Sequence, residues 1–279
     1  MVENRPIFTF FAHAVLILGV VIVVFPIYVA FIASTQDSSS FLSGVVPLLP
    51  AGHIAETYHT ILFTGFGSVP VWRMLVNSFI MAMGITVGKI VVSIISSYAI
   101  VYFRFPFRNL AFWVIFVTLM LPVEVRILPT YSVAAGLHLL NSYSGLILPV
   151  IASATATFLF RQFFMTIPDE LLEAGMLDKA GPVRFFIDVV LPLSRTNIAA
   201  LFVIEFIYGW NQYLWPLIIT TSQNMLTIVV GIQQMVNAAD GDPQWQLVMG
   251  TAILALLPPV AVVIFFQRWF IKGLTEPEK

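Results

Sequence analysis

Charge is missing from most of this chain, and it is missing in long runs. Residues 6–36 contain no Asp, Glu, Lys or Arg, residues 74–103 contain only Lys89, and 109–123 contain none. Residues 127–160 are uncharged, 196–239 contain only Glu205, and 243–267 are again uncharged. A membrane helix needs about 20 predominantly apolar residues to cross the hydrocarbon core. Charged residues make up 10% of the 279, against roughly 25% in a soluble globular domain. So small a share cannot cover a soluble surface of this size. Intrinsic disorder, collagen, coiled coil and nucleic-acid binding are excluded by the same composition. The absence of cysteine removes disulfides, thiolate metal sites and a Cys nucleophile.

The runs predict an all-α polytopic membrane protein, one transmembrane domain over 1–279. Six helices are expected near 11–33, 75–101, 109–131, 144–164, 197–220 and 246–267, with a turn at 136–144 dividing the longest run. A short interfacial helix is expected at 53–63. The first span is too long for a cleavable signal and lacks a small-residue cleavage site, so it is expected to be retained. Arg5, Arg104, Arg108, Arg161, Lys179, Arg184, Arg195, Arg268, Lys272 and Lys279 would share one side of the membrane. The other side would hold only Arg73, with Arg126 near a helix end. The positive-inside rule then puts both termini in the cytoplasm, in agreement with an even number of spans. No inverted repeat is evident.

Dense mixed charge occurs in one place, the loop 165–195 between the fourth and fifth helices, within 161–195. Asp169, Glu170, Glu173, Asp178, Lys179, Arg184 and Asp188 lie there. The pattern reads as two short helices. Thr166 and Asp169 fit a capping box with Pro168 in the first turn, and the early acids and the late Lys179 suit the helix dipole. Gly181-Pro182 breaks the chain, and a second helix follows over 183–190. Leu172 with Met176, and Phe186 with Val190, give each helix an apolar stripe. Such a loop either rests on its own helices or docks a cytoplasmic partner.

The run Glu173-Ala174-Gly175-Met176-Leu177-Asp178-Lys179-Ala180-Gly181, followed by Phe185 or Phe186 and by Leu191-Pro192-Leu193, resembles the EAA loop of ABC-importer permeases. Gly175 departs from the motif's second Ala, and Lys179 stands where the family usually has Gly. A left-handed turn costs more at Lys179 than at Gly, unless the turn has moved to Gly181. Asn77-Ser78 and Ser97-Tyr98-Ala99 resemble the maltose-type carbohydrate branch of that family. Residues 3–6, 121–126, 153–164 and 208–216 resemble its permeases for sn-glycerol 3-phosphate.

The resemblance implies a permease subunit of the bacterial cytoplasmic (inner) membrane, with Glu173, Ala174, Gly175, Asp178, Gly181 and Pro192 coupling it to an ATPase. It implies a second homologous permease, a homodimeric ABC ATPase and an external solute-binding protein as partners. ATP and Mg would bind the ATPase subunits, and this chain would bind no cofactor. The solute would be sn-glycerol 3-phosphate or a glycerophosphodiester. A permease for a neutral sugar, or a proton-coupled secondary transporter, are the alternatives.

Ionisable groups inside a bilayer are costly and face the bundle or water. Lys89, Glu124, Arg126 and Glu205 are the candidates here. Lys89 either pairs with Glu205 or Glu124, or lines the path of an anionic solute. Arg126 suits a bidentate phosphate contact, and Pro122 and Pro129 would break the helix around it. Asn211 and Tyr213 are further pathway candidates, and Trp215 reads as an interfacial belt residue. Pro258-Pro259 reads as a kink. His13, His53, His59 and His138 lack metal-ligand spacing. No catalytic constellation and no phosphate-binding Gly-rich loop ending in Gly-Lys-Ser/Thr is present, so the chain is not expected to be an enzyme or to hydrolyse ATP itself.

Overall fold

The computed structural model describes residues 6–41, 47–65, 69–118, 121, 123–237 and 244–275, without the side chains of Pro6, Val123, Glu124 and 270–275. In chain order the helices among these are α1 (Pro6–Ser34), α2 (Ile54–His59), α3 (Val71–Tyr102), α4 (Arg108–Val117), α5 (Val123–Gly136), α6 (Tyr143–Ile147) and α7 (Ala154–Phe164). They continue with α8 (Asp169–Leu177), α9 (Pro182–Phe185), α10 (Leu191–Leu193), α11 (Arg195–Trp210), α12 (Leu214–Ile219), α13 (Ile228–Val236) and α14 (Trp245–Thr275). They group into two units, Met1–Arg73 with Gly231–Leu257, and Met74–Val230 with Pro258–Lys279. The division falls at the Pro258-Pro259 pair of α14.

Among the described residues, three helices are long and apolar enough to cross a membrane: Ile7–Ser34, Val71–Tyr102 and Trp245–Trp269. Two bent pairs raise the number to five if each is one span: Tyr143–Val150 with Ala154–Phe164, at 49°, and Pro182–Leu193 with Arg195–Trp210, at 71°. α4 is shorter, at 10 residues. The expected helices at 109–131, 144–164 and 197–220 are therefore each broken. α4 ends at Val117 and α5 begins at Val123, and the Pro122 expected to break this helix lies outside the described residues. A proline stands close to the other two breaks. Pro149 gives no N–H to the Gly145 carbonyl, and Pro216 gives none to that of Gln212.

In the first unit, α1 carries its apolar surface outward over most of its length, with 6% of its most apolar window buried. Its polar end is held tightly. The Thr35 hydroxyl donates to the Ile32 carbonyl at 2.7 Å and accepts from the Ala51 amide at 3.0 Å. The Gln36 amide donates to the Leu49 carbonyl at 2.8 Å, and the Tyr28 hydroxyl to that of Leu48 at 2.8 Å. α2 runs on into a π turn at Thr60–Thr64, so the short helix expected at 53–63 is present.

In the second unit, α3 is the central post. Ser93 and Ser97, one helical turn apart, donate to the Ser153 and Thr157 carbonyls of the α7 segment at 3.2 and 2.7 Å. Asn77 near the other end donates to the Asn224 and Leu226 carbonyls, both at 2.9 Å, and accepts from the Tyr143 hydroxyl at 2.7 Å. Ser78 accepts the Ile228 amide at 2.7 Å. Gly209 of α11 lies so close to Ala82 that an added Cβ would stand 3.0 Å from its Cα. The turn after α5 uses left-handed backbone at His138 and Asn141, with φ of 57° and 54°. Asn141 Oδ1 accepts the amides of Thr221 and Ser222 at 2.7 and 2.8 Å, fastening this turn to the end of α12.

Trp215 is buried and donates its indole N–H to the Gly145 carbonyl at 3.1 Å, the acceptor that Pro149 leaves without a helical donor. The expected belt role of Trp215 is therefore overturned: the ring fills the interior and completes a broken helix. Gly145 itself has the Leu139 carbonyl oxygen where a Cβ would stand. Gly145→Ala should cost about 1–3 kcal/mol through overpacking, seen as a lower thermal unfolding midpoint in detergent. Gly136→Ala, which meets nothing within 4 Å, should leave the midpoint nearly unchanged.

Candidate functional site

The loop between α7 and α11 has a buried underside and an open tip. α8 begins after Pro168, with Asp169 and Glu170 in its first turn. Thr166 does not cap it. Its hydroxyl turns back to the Phe163 carbonyl at 2.7 Å, because the end of α7 has carbonyls without helical donors. α8 closes with the Lys179 amide donating to the Met176 carbonyl at 3.0 Å and the Ala180 amide to that of Gly175 at 2.9 Å. This Schellman pattern needs a left-handed residue at its centre. Lys179 supplies it, with φ of 55°, while Gly181 is extended, with φ of −67°. The turn has thus stayed at Lys179, at a cost of about 1–2 kcal/mol for the side chain's Cβ.

α9 and the π turn Phe186–Val190 form the underside. Phe185 and Val190 are buried, and Leu172 and Phe186 pack against the same cluster. Tyr98 and Tyr102 of α3 reach into it, with ring centroids 4.9 Å from Phe186 and 5.5 Å from Phe185. The Tyr98 hydroxyl donates to the Pro182 carbonyl at 2.8 Å. Gly175 lets α8 lie on this layer, since an added Cβ would stand 3.0 Å from the Phe185 ring. Leu172 and Met176 do not form one buried stripe. The last turn of α8 projects past the cluster, leaving Met176 65% and Leu177 84% exposed. Glu173, Ala174, Asp178 and Gly181 are exposed as well, and Pro192 is half-buried in α10. The tip is an apolar point between two carboxylates.

Within the bundle, Lys89 of α3 meets Glu205 of α11 at 2.9 Å, with side chains 7% and 6% exposed. The second carboxylate oxygen accepts from the Ser153 hydroxyl at 3.0 Å. Ser153 also caps α7, accepting the Ala156 amide at 3.2 Å. The Lys89 ammonium lies 3.6 Å from the centroid of the Tyr208 ring. Three elements therefore meet at one neutralised charge pair. Ser153 and Tyr208 carried no role in the sequence reading. Ser153 had a legible signal as a helix N-cap, but neither residue type announces a carboxylate or ammonium partner that is distant in sequence.

Arg126 is exposed on α5 and makes no side-chain hydrogen bond or ion pair among the described residues. The Glu124 side chain lies outside the described residues. Asn211 and Tyr213 are on the unwound backbone between α11 and α12, Asn211 exposed and Tyr213 half-buried. The structure thus joins Lys89 to Glu205 and leaves Arg126, Asn211 and Tyr213 apart from that pair.

A chain of broken apolar helices, with a charged two-helix loop set on the base of one of them, is the arrangement of a transport permease. The family profile of the binding-protein-dependent transport system inner membrane component matches residues 89–276, and the chain belongs to that family. It is 57% identical over 281 residues to the sn-glycerol-3-phosphate transport system permease protein UgpE of Escherichia coli O157:H7, covering 100% of both chains. The protein of the same name from Shigella flexneri serotype 5b is also 57% identical, with 100% of both chains covered. A bacterial ABC transporter involved in the import of the acidic polysaccharide alginate has a chain that superposes with a TM-score of 0.82. That match covers 97% of this chain and 99% of the other, at 18% identity, and concerns the fold alone.

Removing one partner of a buried ion pair strands the other charge, at a cost of about 3–5 kcal/mol, whereas replacing both by apolar groups is often neutral. Lys89→Met and Glu205→Met should each lower the thermal midpoint in detergent markedly. The double variant should recover most of the loss. A double variant as unstable as the singles would show that the pair is not what the site holds together.

Proposed function

We propose that this chain forms half of the translocation pathway of an ATP-driven, binding-protein-dependent importer of sn-glycerol 3-phosphate or glycerophosphodiesters. The full-length 57% identity to permeases named for that solute carries the reading. The chain acts as one permease domain of six spans, with α4 and α5 together as the third span and both termini in the cytoplasm, where most of the basic residues would then lie. Its partners are a second permease, a homodimeric ATPase and an external binding protein. ATP and Mg bind the ATPase.

The tip of α8 is the docking point. Met176 and Leu177 insert into the ATPase, and Glu173 and Asp178 set the charge of the contact. Force from nucleotide-driven closure reaches the membrane through packed side chains. α8 rests on Phe185 through Gly175, the α9 segment is tied to α3 by Tyr98, and α3 is tied to α7 and α11 by Ser93, Ser97 and the Lys89–Glu205 pair. A rigid linkage of this kind moves as a body when the ATPase biases one of two states. Glu205 already holds Lys89, so of the two cations proposed for the solute path, Lys89 and Arg126, the one left for a phosphate is Arg126.

Glu173→Arg should leave the chain inserted in the membrane but reduce solute uptake at least tenfold and abolish stimulation of ATP hydrolysis by the binding protein. Normal stimulation would remove Glu173 from the docking contact. Arg126→Gln should raise the KM for sn-glycerol 3-phosphate about tenfold, the loss expected for one charged hydrogen bond. An unchanged KM would take Arg126 out of the pathway.

A further inference from the structure

A groove of about 1020 Å³ opens between the joint of α10 with α11 and the last turns of α14. Its floor is apolar. Ile198 and Phe202 of α11 face Phe266 of α14, and the two phenylalanine ring centroids are 4.8 Å apart. Arg195, Arg268 and Trp269 also line it. Neither arginine makes an ion pair or a side-chain hydrogen bond among the described residues, and both are exposed. Apart from Gln267, the rest of the lining is apolar.

Depth identifies what such a groove meets. The apolar stretch of α14 is Trp245–Trp269, 25 residues. At about 1.5 Å per residue it is longer than the roughly 30 Å hydrocarbon core. Arg268 and Trp269 close that stretch and therefore sit at headgroup level, where Trp and Arg are favoured. Arg195 opens α11 beside the same groove. Two unpaired guanidinium forks offer a phosphate bidentate contacts, and the trough below them accepts a hydrocarbon chain. A peptide would gain little there, because the walls are helices whose backbone groups are already paired.

We propose that this groove binds an anionic phospholipid of the surrounding bilayer, its phosphate between Arg195 and Arg268 and an acyl chain along Ile198, Phe202 and Phe266. The lipid braces the 71° bend through which the charged loop enters α11. This is independent of the transported solute and rests on the membrane position of α11 and α14.

The test uses the full-length chain in mild detergent, titrated with phosphatidylglycerol or phosphatidylcholine of the same acyl composition and read by native mass spectrometry. The wild type should retain phosphatidylglycerol at least tenfold more tightly than phosphatidylcholine. Arg195→Gln and Arg268→Gln should each weaken phosphatidylglycerol binding about fivefold, and the double variant should lose the preference. Arg268→Lys should keep most of it, which separates charge from misfolding, and Arg73→Gln should leave it intact. Phosphatidylglycerol with brominated acyl chains should quench a component of tryptophan fluorescence that Trp269→Phe removes. Equal retention of the two lipids by the wild type, or a preference that survives the double variant, overturns the proposal. So does exclusion of the lipid from the assembled transporter by an ATPase subunit that cross-links through position 269.

Discussion

A carbonyl that loses its helical donor inside a bilayer has no water to turn to, and this protein makes several of them. Each proline in a span removes one backbone donor, and the acceptor left behind must find another partner or face a cavity. At Gly145 the partner is the indole of Trp215, donated across the unit from α12. The same logic brings the Asn77 amide to the Asn224 and Leu226 carbonyls, where the chain between α12 and α13 has no regular partner of its own. The breaks are thus junctions. At Gly145 the break recruits a side chain from another element, and α3 holds its neighbours through side-chain to backbone bonds of the same kind.

The charge pair of Lys89 and Glu205 follows the same rule. An ammonium and a carboxylate in lipid are tolerable only together, and here Ser153 and Tyr208 complete their coordination. The pair stands where α3, α7 and α11 meet, and α3 continues from it to the tyrosines that hold the charged loop. A proton relay through Lys89 and Glu205 loses its appeal in this setting, since the carboxylate is held by two donors and the ammonium is neutralised. The exposed guanidinium of Arg126 and the unwound backbone at 211–213 lie in the same unit and take no part in the pair.

The loop combines two readings that the sequence left open. Its α9 side is buried under aromatic rings, as a loop resting on its own helices would be. Its α8 tip leaves Met176 and Leu177 uncovered, as a docking point would. Lys179 is the exception to local preference, because the closure of α8 demands a left-handed residue there whether or not it is glycine. Local propensity is overridden at that position: the Met176 and Gly175 carbonyls receive the Lys179 and Ala180 amides only with Lys179 left-handed.

Charge-free runs determined the long helices on their own, because lipid tolerates few unpaired charges and the cost is large enough to read in composition. α3 lies within four residues of its expected ends, whereas α1 begins five residues before 11 and α14 runs eight residues past 267. The mixed-charge loop and its two short helices were equally legible, since Gly181-Pro182 and the acids of the first turn are local signals. The partners of Lys89, the buried place of Trp215 and the failure of Thr166 as a cap were not legible. Those depend on which side chain, distant in sequence, arrives first at an unsatisfied group. Periodicity records which residues avoid water. Only the packed bundle decides which polar groups satisfy one another, because that choice is made by distances between elements.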